Sequence, residues 1–210
     1  MKALDLVSVG PGFADPVFES QAAFRCCLSA LATPGTVVSL GAGLEAVPGL
    51  DAAAGALLLS LLDQDTSIWL SPGVAAPAVA TSLKFHTGCS LAASPGEADF
   101  ALVASADELP PLDAFSAGSQ EYPERSATVV LQVPAILDSG WRLSGPGIRG
   151  EALLSVPALG DAFLRQWELN RARFPRGVDL YVSSGERLCG LPRTTRIDAC
   201  VDARIGQGRG

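Results

Sequence analysis

The 210-residue chain has a single histidine, His86, and only two lysines, Lys2 and Lys84. Any Ser-His-Asp or Cys-His mechanism would have to run through His86, and a polyhistidine metal centre is excluded. A Schiff-base enzyme would have to use Lys84, two residues from His86 at a helix end. The five cysteines, Cys26, Cys27, Cys89, Cys189 and Cys200, fall in no CxxC or other metal-ligand spacing, so they read as reduced structural thiols and no metal ligand is singled out. No iron-sulfur pattern and no Walker A loop are present. The longest apolar run, "AAAGALLLSLL", stops at Asp63, short of the roughly 20 residues a membrane helix needs. The N-terminus does not read as a signal peptide, and a cytoplasmic protein is the expectation. A formal net charge of -7 argues against a nucleic-acid partner, which would demand a cationic footprint.

What is there is a chain built to fold. Hydrophobic residues make up 48% and charged residues 18%, a composition that buries one sizeable core, and a single domain over 1–210 is expected. Charge is unevenly spread. Residues 1–140 hold 4 basic and 15 acidic residues, whereas 141–210 hold 11 basic residues, all arginine, and 7 acidic ones. The last third therefore carries the candidate surface for anions or partners, set against the alternative of a solvated arginine face.

The hydrophobic pattern predicts α/β layers around a mixed sheet. Asp15 and Pro16 open a first helix that ends at Pro34-Gly35, with Val17, Phe24, Leu28 and Leu31 as its apolar face. "TVVSL" reads as a strand, and the apolar helix after Asp51 as one buried between layers and capped by that aspartate. "SIWL", "ADFALVAS", "SATVVLQVPAI" and "WRLSGPG" read as strands, and the stretch from Pro77 to Gly88 as a helix. A later helix places Phe163, Leu164, Trp167 and Phe174 on one side and arginines on the other. The chain ends in a hairpin across Ser184-Gly185 on a sheet edge, followed by a frayed tail at 199–210.

Gly145, Gly147 and Gly150 form a literal G-x-G-x-x-G. A dinucleotide site needs a helix opening within that motif and an acid at the end of the next strand. Pro157 cuts "EALLSV" short and Glu168 falls inside a helix, so the stretch reads as a tight turn whose Arg149 meets a phosphate group or a partner. His86 and Thr87 sit at a helix end, where capping and ligand contact are both open. Asp63 and Asp65 suit either a helix stop or a cation. Arg193, Thr194, Thr195 and Arg196 in "PRTTRID" suit an oxyanion, or else a soluble edge strand.

Taken in order, "SQAAFRCCLSALATPGTVVSL", "ALLLSLLDQDTSIWL", "LKFHTG", "ADFAL", "PERSATVVLQV", "LSGPGI", "FPRGVDLYV" and "RLCGLPRTTRI" resemble the H component of the bacterial phosphonate carbon-phosphorus lyase system over residues 13–198. The resemblance implies a cytoplasmic homodimer that assembles with subunits G, I and J, and often L. That complex replaces the adenine of ATP by an alkylphosphonate, giving a ribose 1-phosphonate 5-triphosphate. Chemistry is attributed to subunit I for that step and to the radical subunit J for the later bond cleavage. A chain of this type then has no catalytic residue of its own, and no cofactor. Its fold is implied to be similar to the pyridoxal-phosphate-dependent transferases, without their cofactor lysine. The rival expectation is a phosphate-, phosphonate- or nucleotide-binding protein using the "GPGIR" and "PRTTR" turns with His86.

Overall fold

A computed structural model describes residues 9–44 and 47–199; the predicted frayed tail lies, apart from Ala199, outside the described residues. Among these residues four α-helices form where the sequence carries helical signals: α1 (Pro16–Ala32), α2 (Ala52–Leu61), α3 (Pro77–Thr87) and α4 (Asp161–Ala172). Asp15 caps α1 by accepting from the Phe18 N–H, and Gly88 ends α3 in the left-handed region at φ 77°. No helix among the described residues is long and apolar enough to cross a membrane.

Among the described residues ten strands make two sheets. In chain order they are β1 (Val37–Ser39), β2 (Ser67–Leu70), β3 (Ser90–Leu91), β4 (Phe100–Val103), β5 (Thr128–Gln132), β6 (Leu137–Ser144), β7 (Ala152–Ser155), β8 (Asp179–Ser184), β9 (Arg187–Leu191) and β10 (Arg196–Asp198). The large sheet runs β1-β9-β8-β5-β4-β2-β3, and the small antiparallel sheet runs β10-β6-β7. Strands β3, β2, β4, β5 and β8 are parallel, while β9 is antiparallel to both of its neighbours. The mixed α/β architecture matches the expectation. The β8–β9 hairpin forms at Ser184-Gly185 as read, but β1 covers β9, so the hairpin is not the sheet edge.

Period-two alternation divides the core between the two faces of the sheet. Ala101, Val103, Val129, Leu131, Leu180 and Val182 point into one cluster, with α4 and the small sheet. Leu102, Val130 and Tyr181 point into the other, with α1, α2 and α3. The parallel strands are buried on both faces, which is why they read as continuous apolar runs. Helix α2 is buried from Ala53 to Leu58, as its missing polar face requires.

Helix α1 overturns the expected facing. Its buried residues are the small Ala23, Cys27 and Ala30, whereas Val17, Phe18, Phe24 and Leu28 are 73%, 72%, 48% and 57% exposed. The cause is on β9: a Cβ at Gly190 would stand 2.7 Å from the carbonyl carbon and oxygen of Ala30. The helix backbone lies directly on that strand, and the Tyr181 hydroxyl donates to the Cys27 carbonyl at 2.9 Å beneath it. Only small side chains fit between, so the large apolar ones face outward. Phe174 also departs from the reading: it falls beyond the end of α4 and is exposed, leaving Phe163 and Trp167 as the buried aromatics of that helix.

Candidate functional site

The two glycine- and threonine-bearing turns meet. Gly145, Gly147 and Gly150 have φ of 134°, 83° and 77°, conformations that glycine alone adopts readily. They close the turn between β6 and β7, and a strand rather than a helix follows, which removes the dinucleotide context. A Cβ at Gly145 would lie 3.1 Å from the Thr194 carbonyl, and β10 pairs with β6 through Arg196 and Ser144. Gly147 sits against the end of α1, where a Cβ would collide with the Ala32 carbonyl oxygen. Arg149 is exposed at the rim of this turn.

Arg193 is committed within the chain. Its Nε and one Nη2 hydrogen go to the two carboxylate oxygens of Asp179, the other Nη2 hydrogen to Ser126 Oγ, and the Nη1 hydrogens to the carbonyls of Pro123 and Pro175. Those contacts use all five guanidinium donors, so none is left for an anion. The expected oxyanion role of Arg193 is thereby corrected to a staple joining β8 to the loops at 123–126 and 175. Arg196 pairs with Asp198 on the surface. Thr195 is fully buried, its carbonyl accepting from Trp167 Nε1 at 2.8 Å, and its Oγ1 has no hydrogen-bond partner. Thr195→Val should therefore keep or raise folding stability, by up to about 1 kcal/mol in denaturant unfolding, because it removes an unsatisfied hydroxyl without changing shape; a loss would show that the hydroxyl has a partner.

His86 is elsewhere. It lies on α3, on the opposite face of the large sheet from the two turns, so the structure does not unite the three elements. Its Nε2 donates to the Gly10 carbonyl at 2.8 Å, while Ser82 Oγ, one turn earlier, accepts from the Gly10 N–H at 2.7 Å. The imidazole thereby clamps the segment entering α1 instead of capping its own helix. Thr87 Oγ1 donates to the Leu83 carbonyl, which is helix-end chemistry. Asp63 and Asp65 form a turn in which Asp63 accepts from the Asp65 N–H. Lys84 is exposed on α3. Among the described residues no group of three His, Cys, Asp or Glu is placed to hold a metal.

Burial pushes the Cys27 and Cys189 thiols up to about 12. At pH 8 both should label with a thiol reagent only on unfolding, while the half-buried Cys26 labels in the native state. Rapid native modification of Cys27 or Cys189 would contradict the packing.

At the carboxyl ends of β2 and β4 the outgoing connections leave for opposite faces of the sheet, the position where open α/β sheets place ligands. Here the position is filled from within. Glu108 accepts from Ser71 Oγ and from the Gly73 N–H at 2.8 Å, contacts that hold its carboxyl below the usual carboxylate range. The Ala104 N–H in turn donates to Ser71 Oγ. Glu108 lies 37 positions from Ser71, at the end of the short 3-10 turn Ala106–Glu108, and nothing in the sequence marks the pair.

Residues 11–198 match the family described as bacterial phosphonate metabolism protein (PhnH). The chain belongs to the PhnH family. It is 40% identical over 188 residues, 89% of its own length and 94% of the relative's, to the alpha-D-ribose 1-methylphosphonate 5-triphosphate synthase subunit PhnH of Rhizobium meliloti (strain 1021). It is 35% identical over 180 residues, 85% of each chain, to HtxG of Stutzerimonas stutzeri, a protein provisionally named a C-P lyase subunit. The PhnH match spans every strand and helix among the described residues, including the Arg193 staple, His86 itself and the outward face of α1.

Proposed function

We propose that this chain is an accessory, noncatalytic subunit of a carbon-phosphorus lyase assembly in phosphonate breakdown, supporting formation of ribose 1-methylphosphonate 5-triphosphate from ATP and methylphosphonate. The observation that carries the reading is the exposed apolar face of α1, on a chain whose most promising anion ligand, Arg193, is fully engaged internally. A 17-residue helix is about 25 Å long, and Val17, Gln21, Phe24 and Leu28 follow the 4-3-4 spacing of a helix-pairing seam, with Gln21 its one polar position, while Leu31 packs partly against the core.

The occupant we assign to this face is a second copy of the chain. Laid antiparallel, Val17 meets Leu28 and Gln21 meets Phe24 across a two-fold axis, so one stripe complements itself. A polar residue at a single seam position fixes register at some cost in stability, and the Gln21 stem still covers the facing ring. Arg25, the cation beside the stripe, then faces the Phe18 ring of the other copy. Two phenylalanines, a valine and a leucine from each copy would cover on the order of 1,000 Å² in total, close to what a specific dimer needs, before the grooves on either side of α1 are counted. Subunits G, I and J, and L where present, would then meet other surfaces, in the cytoplasm.

The same reading takes the chain as one folding unit, without a cofactor and without nucleic acid, and its large sheet as a transferase-like sheet that has lost its pyridoxal-phosphate lysine. The alternative, an anion site at the "GPGIR" and "PRTTR" turns with His86, has less support, since His86 lies across the sheet, Arg193 is fully engaged within the chain and Arg196 already pairs with Asp198. The test is a deletion strain carrying the other subunits: growth on methylphosphonate should stop and return with this chain, which should co-purify with them. Normal growth of the deletion strain, or tight binding of methylphosphonate by the isolated chain that Arg149→Ala removes, would overturn the accessory role.

A further inference from the structure

An open crevice of about 480 Å³ lies at the carboxyl ends of β4 and β5, lined by Leu50, Asp51, Ser105, Gln132, Val133 and Pro134 among others. Its volume falls in the range of small-molecule sites, and its place is the edge of a parallel sheet where such sites form. Among the described residues that line it, Asp51 is the only charged one. It occupies the N-cap position of α2, yet its side chain makes no cap; the expected capping role is corrected, because Ala53 N–H is met by the Gly185 carbonyl instead. The carboxylate turns to accept from Ser183 Oγ at 3.1 Å, and none of the ion pairs among the described residues includes it.

Among the described residues the rest of the lining offers no competing cation. The Gln132 amide is used at both ends, accepting from the Asp51 N–H at 2.6 Å and donating to the Gly49 carbonyl at 3.0 Å. Leu50, Val133 and Pro134 supply apolar wall. Burial disfavours the charged form of Asp51 and raises its pKa, as for any half-buried carboxyl without a cationic partner. A phosphate or phosphonate would be repelled here; a positive ligand would complete the site.

We infer that this crevice takes an organic ammonium group on an aliphatic stem, the ammonium donating to the Asp51 carboxylate and the stem lying on Leu50, Val133 and Pro134. The ammonium comes either from a free amine or from a lysine side chain of a partner protein, and the inference does not depend on the accessory role proposed above. The probes are n-butylammonium and its neutral counterpart n-butanol, titrated into the full chain while amide resonances of residues 50, 51, 105 and 132 are followed. Butylammonium should bind about tenfold or more tightly than n-butanol, the effect of a charge-assisted hydrogen bond to a partly desolvated carboxylate. Asp51→Asn should erase the difference.

Equal response to the two probes, or a stronger response to methylphosphonate, overturns the inference, and this comparison needs no variant. The source is resolved in the assembled complex with a water-soluble carbodiimide, which joins a carboxylate directly to an amine seated on it. A link between the Asp51 peptide and a lysine of another chain assigns the ammonium to protein. Selective butylammonium binding without that link assigns it to a free amine.

Discussion

Arg193→Ala should lower the unfolding midpoint by roughly 6–12 °C, which corresponds to about 3 kcal/mol for a chain of this size. The side chains of Arg193 and Asp179 are only 12% and 21% exposed, so the ion pair is shielded from the screening that makes surface pairs nearly worthless. Deleting the guanidinium leaves the Asp179 carboxylate with the Arg193 backbone N–H, at 2.7 Å, and strips a donor from two carbonyls and a serine. Leaving a buried charge half-compensated costs more than the pair itself contributes. Arg193→Lys should recover little, because an ammonium has three donors and no planar fork to span Asp179, Ser126, Pro123 and Pro175 at once. Differential scanning calorimetry on the three proteins decides it. If Arg193→Ala leaves the midpoint unchanged but weakens phosphate or phosphonate binding, the arginine is a ligand group and the staple is wrong.

That residue also shows how far the sequence could be read. "PRTTR" was legible as an arginine-bearing turn just past a strand, but its partners sit at 123, 126, 175 and 179, and no local pattern announces them. The element order was far more legible, since it depends on short-range signals: Pro16 and Asp15 at the start of α1, Gly88 after α3, and continuous apolar runs in β4 and β5. The strands that escaped notice, β3, β7 and β10, have 2, 4 and 3 residues, and their pairing is set by neighbours rather than by their own sequence. His86 and the two turns looked like one site because all three carry ligand-type groups. Which face of the sheet each one occupies is a tertiary fact. Periodicity likewise found the apolar stripe on α1 but could not say whether it points inward, because the answer lies far along the chain at Gly190.

The outward stripe carries the second large prediction. In the double variant Phe24→Asp with Leu28→Asp, the chain should shift from twice 21.6 kDa to 21.6 kDa by light scattering, with self-association weakened at least about a hundredfold. Each residue is a large apolar anchor in the stripe, and truncating such an anchor typically costs about 2 kcal/mol or more in binding. The unfolding midpoint of the separated chain should stay within about 2 °C of its unassociated parent, since both side chains already face solvent. For two core positions of an amphipathic helix the same change would unfold the protein. The inner face should behave in the opposite way: Ala30→Leu forces a branched side chain into the contact over Gly190 and should cost about 1–3 kcal/mol in folding. The two helix faces are thus separable by measurement, one controlling mass and the other stability. A double variant that stays dimeric but fails to capture the other subunits would assign α1 to a different chain of the assembly and remove the second copy from this face. A double variant that collapses in stability would return the stripe to the core and contradict the placement of α1 itself.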